Sequence, residues 1–164
     1  MPTASATEQP SSAQAQAAAV DQLLGQAANS RQQVENAVTA VEQCADSPSV
    51  SSAQSVLIRA ALDRQSLVAE LGSLNVSQLQ GGAPAMLTLS RAWSESAAAD
   101  SAYARWAGAM ADGRCTAGSS PHTADWDEGL AESGKASADK NAFVVAWDPI
   151  AVRYNLPTRS ADAI

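Results

Sequence analysis

Basic residues are scarce in this chain. Ten Lys and Arg stand against seventeen Asp and Glu, giving a net charge of −7 and a sequence pI of about 4.5. A nucleic-acid-binding surface needs a basic footprint to displace counterions, and none is visible, so nucleic-acid partners are excluded. The same acidity is a poor match for anionic lipid. Long apolar runs are missing as well. None approaches the ~18–20 residues of a membrane-crossing helix, so no direct span is expected. Histidine is reduced to His122, and cysteine to Cys44 and Cys115. One imidazole and two distant thiols make no zinc set, and a single His in a loop supports no Ser-His-Asp arrangement. Phosphate-cradling Gly-rich loops do not occur, and no cofactor is expected. Polar–apolar alternation of useful length is absent, which argues against strands, and no internal repeat is evident.

What remains is Ala, Val and Leu. Hydrophobic residues make up 46% of 164 residues while aromatics supply only 4%, so the chain has enough apolar surface for one core built largely from small aliphatic side chains. Ala loses no side-chain entropy in a helix, so this composition favours helices. Four segments carry apolar residues at steps of three and four. The first runs from about Ala15 to Cys44 and the second from about Ser51 to Leu71, with Pro48 between them, Ser51 or Ser52 as N-cap and Gly72 as C-cap. The third runs from about Pro84 to Ala111. The fourth starts after a Thr123 cap and ends before Pro149, with Asp125, Asp127 and Glu128 in its first turn, where acids favour the helix dipole. Those acids and His122 also resemble a carboxylate-rich metal site, but capping explains them without a metal, and none is expected. The sequence therefore predicts an all-α, up-down-up-down four-helix bundle over residues 15–156. Residues 1–14 read as a flexible Pro/Ser/Gln linker of the kind that follows an export signal or membrane anchor, and 157–164 as a loose C-terminal tail.

In that topology the C-terminal ends of the first and third helices lie together, which brings Cys44 beside Cys115. A disulfide there closes a loop of about 70 residues, stabilises by roughly 4 kcal/mol, and belongs in an oxidising, extracytoplasmic compartment.

Each apolar stripe is interrupted near its middle by one charged residue: Arg31, Arg64, Asp100 and Lys140. Lys140 leans toward its helix N-terminus and so toward Asp100, which predicts a Lys140–Asp100 pair in a mid-bundle polar layer. Helix bundles place ligand sites in such layers, and the excess of positive charge calls for an anion or other partners. The competing reading lets these long side chains snorkel into solvent. Trp93 and Trp147 are candidate pocket walls, with plain core packing as the alternative. On the last helix, Gly134, Ala136 and Ser137 are read as small in order to admit a neighbouring helix, and Phe143, Val144 and Trp147 as core.

The stretch from Trp93 through SAYARWA, Cys115 and DKNAFVVAWDPIAVRYNLP resembles helical-bundle proteins of unassigned activity that actinobacteria export or anchor in the membrane. The likeness covers about half the chain. The Ala bias and eight Arg against two Lys fit such a high-GC source. The resemblance implies a secreted or membrane-anchored location and brings no activity. The function expected is an extracytoplasmic module that binds, senses or scaffolds, with a protein or small-molecule ligand at the cell surface. The alternative is a small exported helical enzyme, or a small-molecule anion binder, using the central polar layer.

Overall fold

Apolar residues at steps of three and four build four helical rods in the computed structural model, which describes residues 12–44, 46–115 and 118–164. The first rod is broken. Helix α1 spans Ala13–Ala27 and α2 spans Arg31–Glu42. At the break, Asn29 and Ser30 offer the backbone polar competitors, and the Ser30 hydroxyl donates to the Ala27 carbonyl at 3.3 Å. The interruption lets each half follow a different part of the core. Of the expected linker, residues 1–11 lie outside those described. Ala13 and Gln14 already belong to α1, which Ser12 caps by accepting from the Ala15 N–H.

Helix α3 spans Ser47–Ser73. It starts earlier than expected because Asp46, not Ser51 or Ser52, is the N-cap, accepting from the Ser49 N–H at 3.0 Å. Pro48 therefore sits in the first turn, where its missing N–H costs nothing, and Gly72 lies inside the helix. Helix α4 spans Gly82–Ala109 and runs on into a π-helical turn, Met110–Arg114, inside which Asp112 and Gly113 leave the helical path, Gly113 with φ +97°. Helix α5 spans Ala124–Arg153 and passes straight through Pro149. The carbonyl of Val145 loses its helical donor there, but Val145 is solvent-exposed, so that carbonyl is not left in an apolar environment.

The rods form an up-down-up-down bundle in which α4 packs against both α3 and α5. The C-terminal tail is docked, not loose. Arg159 bonds to Asp21 at 2.7 Å, its N–H donates to Asp148, Ala161–Ala163 forms a 3₁₀ turn, and Ile164 is fully buried.

The core comes in two pieces. One cluster joins α1 to the far ends of α3, α4 and α5 through Leu24, Leu71, Trp93, Phe143 and Trp147. The other joins α2 to the opposite ends of α3 and α4 through Val41, Leu57, Tyr103, Trp106 and Met110. Cys44 and Cys115 close this second end. Their Cα atoms are 5.6 Å apart and their sulfurs lie at disulfide distance, across 71 residues of sequence.

Candidate functional site

Between the two apolar clusters every rod contributes a polar side chain. Arg64 comes from α3, Ser96 and Asp100 from α4, and Lys140 from α5; Arg31 comes from the first turn of α2. They line one pocket of about 190 Å³. Arg64 is 3% exposed, Asp100 5% and Lys140 7%, so the charges are inside the bundle and do not snorkel. Arg31 stays at the rim. It is held there by Glu35 at 2.8 Å and by Asp162 of the docked tail at 2.7 Å. The four charged residues predicted from the interrupted stripes thus converge on one cavity.

Their pairing differs from the expectation. Among the described residues, Lys140 and Asp100 form no ion pair, and neither pairs with Arg64. The charges stand around the cavity instead of closing across it. Arg64 is left with Nε and NH1 buried and unpartnered, and Asp100 with Oδ2 in the same condition. Titration follows from this placement. Burial pushes the Asp100 carboxyl up to about 6, against the pull of Arg64 and then Lys140. Burial likewise pushes the Lys140 ammonium down to about 8, helped by Arg64 and Arg31 and opposed by Asp100. Desolvation also lowers Arg64, but a guanidinium stays charged at any ordinary pH.

Trp93 and Trp147 do not reach this pocket. Both are fully buried in the first apolar cluster, with their indole N–H groups unpartnered. Sequence reading missed Ser133 and took Ser137 only as a small residue that admits a neighbouring helix; both line the wall beside Lys140. Their positions seven and three residues before Lys140 put them on its face, and that spacing was the available signal. The acids of the α5 first turn serve the fold: Asp125 and Glu128 both pair with Arg105, at 2.8 and 2.6 Å. His122 stacks on Trp126 with ring centres 4.1 Å apart. Among the described residues no group of His, Cys, Asp or Glu is arranged to hold a metal ion. A larger surface depression of about 360 Å³ lies beside the α1–α2 break, lined by Asn29, Ser30, Asp63 and Glu70, and none of its residues is a buried charge.

No protein-family model matches the chain, and it has no match among curated proteins or among solved structures.

Proposed function

We propose that this chain is an extracytoplasmic helical-bundle module that captures or senses a small anion in its mid-bundle pocket. One observation carries the reading: the Arg64 guanidinium is buried with unpartnered donors on a cavity wall it shares with Lys140. Two buried cations against one buried carboxylate leave a formal excess of +1 (Arg64 and Lys140 less Asp100). Unpaired buried charge is costly, and well-packed apolar residues would serve stability better. A bundle that keeps the excess gains from it when an anion arrives, as cationic pockets gain on phosphate or carboxylate. The oxidisable Cys44–Cys115 pair and the resemblance to exported actinobacterial bundles support a location outside the cytoplasm.

The test is thermal unfolding of the purified protein in sodium acetate, sodium phosphate and sodium chloride at matched ionic strength. Specific binding gives a concentration-dependent rise, worth about 2.7 kcal/mol at a hundredfold excess over Kd. Arg64→Met should abolish it. A rise equal for all three salts, or one retained by Arg64→Met, would mean general screening and no site.

The displaced titrations of Asp100 and Lys140 favour a second reading. A carboxyl near 6 beside an amine near 8 suits a general acid and base. A ligand recovered chemically unchanged after long incubation rules that reading out.

A further inference from the structure

We infer that the ligand is a small 2-hydroxycarboxylate, one carboxylate together with one hydroxyl donor. This rests on the anion reading above and deepens it.

The first constraint is hydrogen bonding. Asp100 lies on the same pocket wall as Arg64 and Lys140, and among the described residues its carboxylate accepts no hydrogen bond. An ionised carboxylate only accepts. A plain anion would satisfy the two cations and leave Asp100 orphaned beside a second negative charge. A ligand that also donates supplies the missing partner, as buried acceptors require.

Charge balance is the second constraint. Arg64, Lys140 and Asp100 sum to +1 (two cations less one anion), and all three are buried. A zwitterionic amino acid brings an ammonium to Asp100 but leaves the excess in place. A phosphate monoester, at about −1.5 to −2, overshoots it. A monocarboxylate whose donor is a neutral hydroxyl closes the sum at zero.

Size is the third. The pocket holds about 190 Å³, a little more than the ~150 Å³ that accepts one benzene. That admits roughly six to ten non-hydrogen atoms, the scale of the smallest hydroxy acids. Ser96 and Ser137 on the walls provide hydroxyls that can donate to the carboxylate oxygens the cations do not reach, whereas the Ser133 hydroxyl is engaged by Tyr103.

Three nearly isosteric probes separate these terms. L-Lactate, propionate and L-alanine differ in one group: a hydroxyl, a hydrogen and an ammonium. Titration calorimetry on the wild-type protein should give lactate the tightest binding. Propionate should be about tenfold or more weaker, because it leaves the buried acceptor unpaired, and alanine should fall below lactate. In Asp100→Asn the lactate-to-propionate ratio should drop toward one while propionate tightens, since the repelling carboxylate is gone. Equal binding of lactate and propionate by the wild type would overturn the hydroxyl and leave the anion reading standing. Alanine binding tightest would overturn the charge balance. No carboxylate binding by a folded wild type would overturn both readings. If Asp100→Asn does not fold, the wild-type panel alone decides.

Discussion

The buried charges of Arg64, Asp100 and Lys140 carry a desolvation cost, and the size of that cost depends on pH. The folded-state pKa of Asp100 is raised from 3.8 to about 6. Its contribution is therefore fully present below the unfolded value and is lost as pH rises through about 6. The folded-state pKa of Lys140 is lowered from 10.5 to about 8. Its contribution is present above the unfolded value and is lost as pH falls through about 8. Between about 6 and 8 both groups are charged and both penalties stand in full. The stability difference between Asp100→Asn combined with Lys140→Met and the wild type should then be most favourable to the variant in that window. Denaturant midpoints near pH 4, 7 and 10 check it, and a difference that does not shift toward the wild type at the extremes would contradict the assignment. The two single variants should differ in sign. Lys140→Met leaves Asp100 with Arg64 and should be neutral or stabilising by up to about 2 kcal/mol, whereas Asp100→Ala leaves two cations facing each other and should cost about 3 kcal/mol. Small equal losses from both would mean that the layer is solvated. This layer was legible in the sequence because four apolar stripes are each broken once, at Arg31, Arg64, Asp100 and Lys140. The open spacing between the charges was not legible, since it depends on the distance between helix axes. The placement of Trp93 and Trp147 follows from their position at the centre of a stripe, which is where core lies.

At the scale of an element, glycine positions decide how closely α4 and α5 meet. A Cβ on Gly129 would fall 2.6 Å from the Tyr103 ring, which is itself wedged against Trp106 and Trp126. Gly129→Ala should therefore destabilise by about 1–3 kcal/mol, overpacking outweighing the gain in helix propensity. A Cβ on Gly134 meets nothing within 4 Å. Gly134→Ala should stabilise by up to about 1 kcal/mol. A pair of thermal melts settles both, and matching signs would refute the packing account. The sequence suggested Gly134, Ala136 and Ser137 as the points of close approach; Ala136 is buried, but Gly134 and Ser137 are exposed. Nothing in the local pattern singles out Gly129, because its constraint is a ring on another helix. The docked tail escaped for the same reason. Arg159 and Ile164 are ordinary residues in a polar segment, and their partners, Asp21, Asp148 and the apolar cluster that includes α1, all lie far away in sequence or on other elements. Ile164→Ala should cost about 2 kcal/mol, the low end for a buried Ile because a chain terminus relaxes easily. Thr123 was read correctly as the residue before the first turn of α5, but its hydroxyl makes no capping bond, and the cap at Asp46 was not read at all. The register Asp46-Ser47-Pro48 is an N-terminal signal as good as the one chosen, and Pro48 belongs inside a first turn more readily than between two helices.

Across the whole molecule the two apolar clusters touch through a polar layer, and only one of them is covalently fastened. The Cys44–Cys115 pair joins the end of α2 to the segment beyond α4, at the cluster built around Trp106 and Met110. Arg159, Asp162 and Ile164 fasten the other end without a covalent bond. Removing the link releases a loop spanning 71 residues, worth about 4 kcal/mol of unfolded-state entropy. A domain of this size has on the order of 5–15 kcal/mol in total, so the reduced protein should remain folded with a lower midpoint. The loss should also be uneven. The helix α2 is short and leans mainly on α3, whereas α1, Leu24 and the tail share the cluster of Trp93 and Trp147. Reduction, or Cys44→Ser with Cys115→Ser, should raise amide exchange first in α2 and in the Met110–Arg114 turn, and leave α1 and the α5 C-terminal half protected. Intact mass should rise by two hydrogen atoms on reduction of the native protein. Exchange that rises uniformly along the chain would show that the polar layer couples the two clusters into a single cooperative unit. Two free thiols in protein purified under oxidising conditions would remove both the staple and the compartment argument that rests on it.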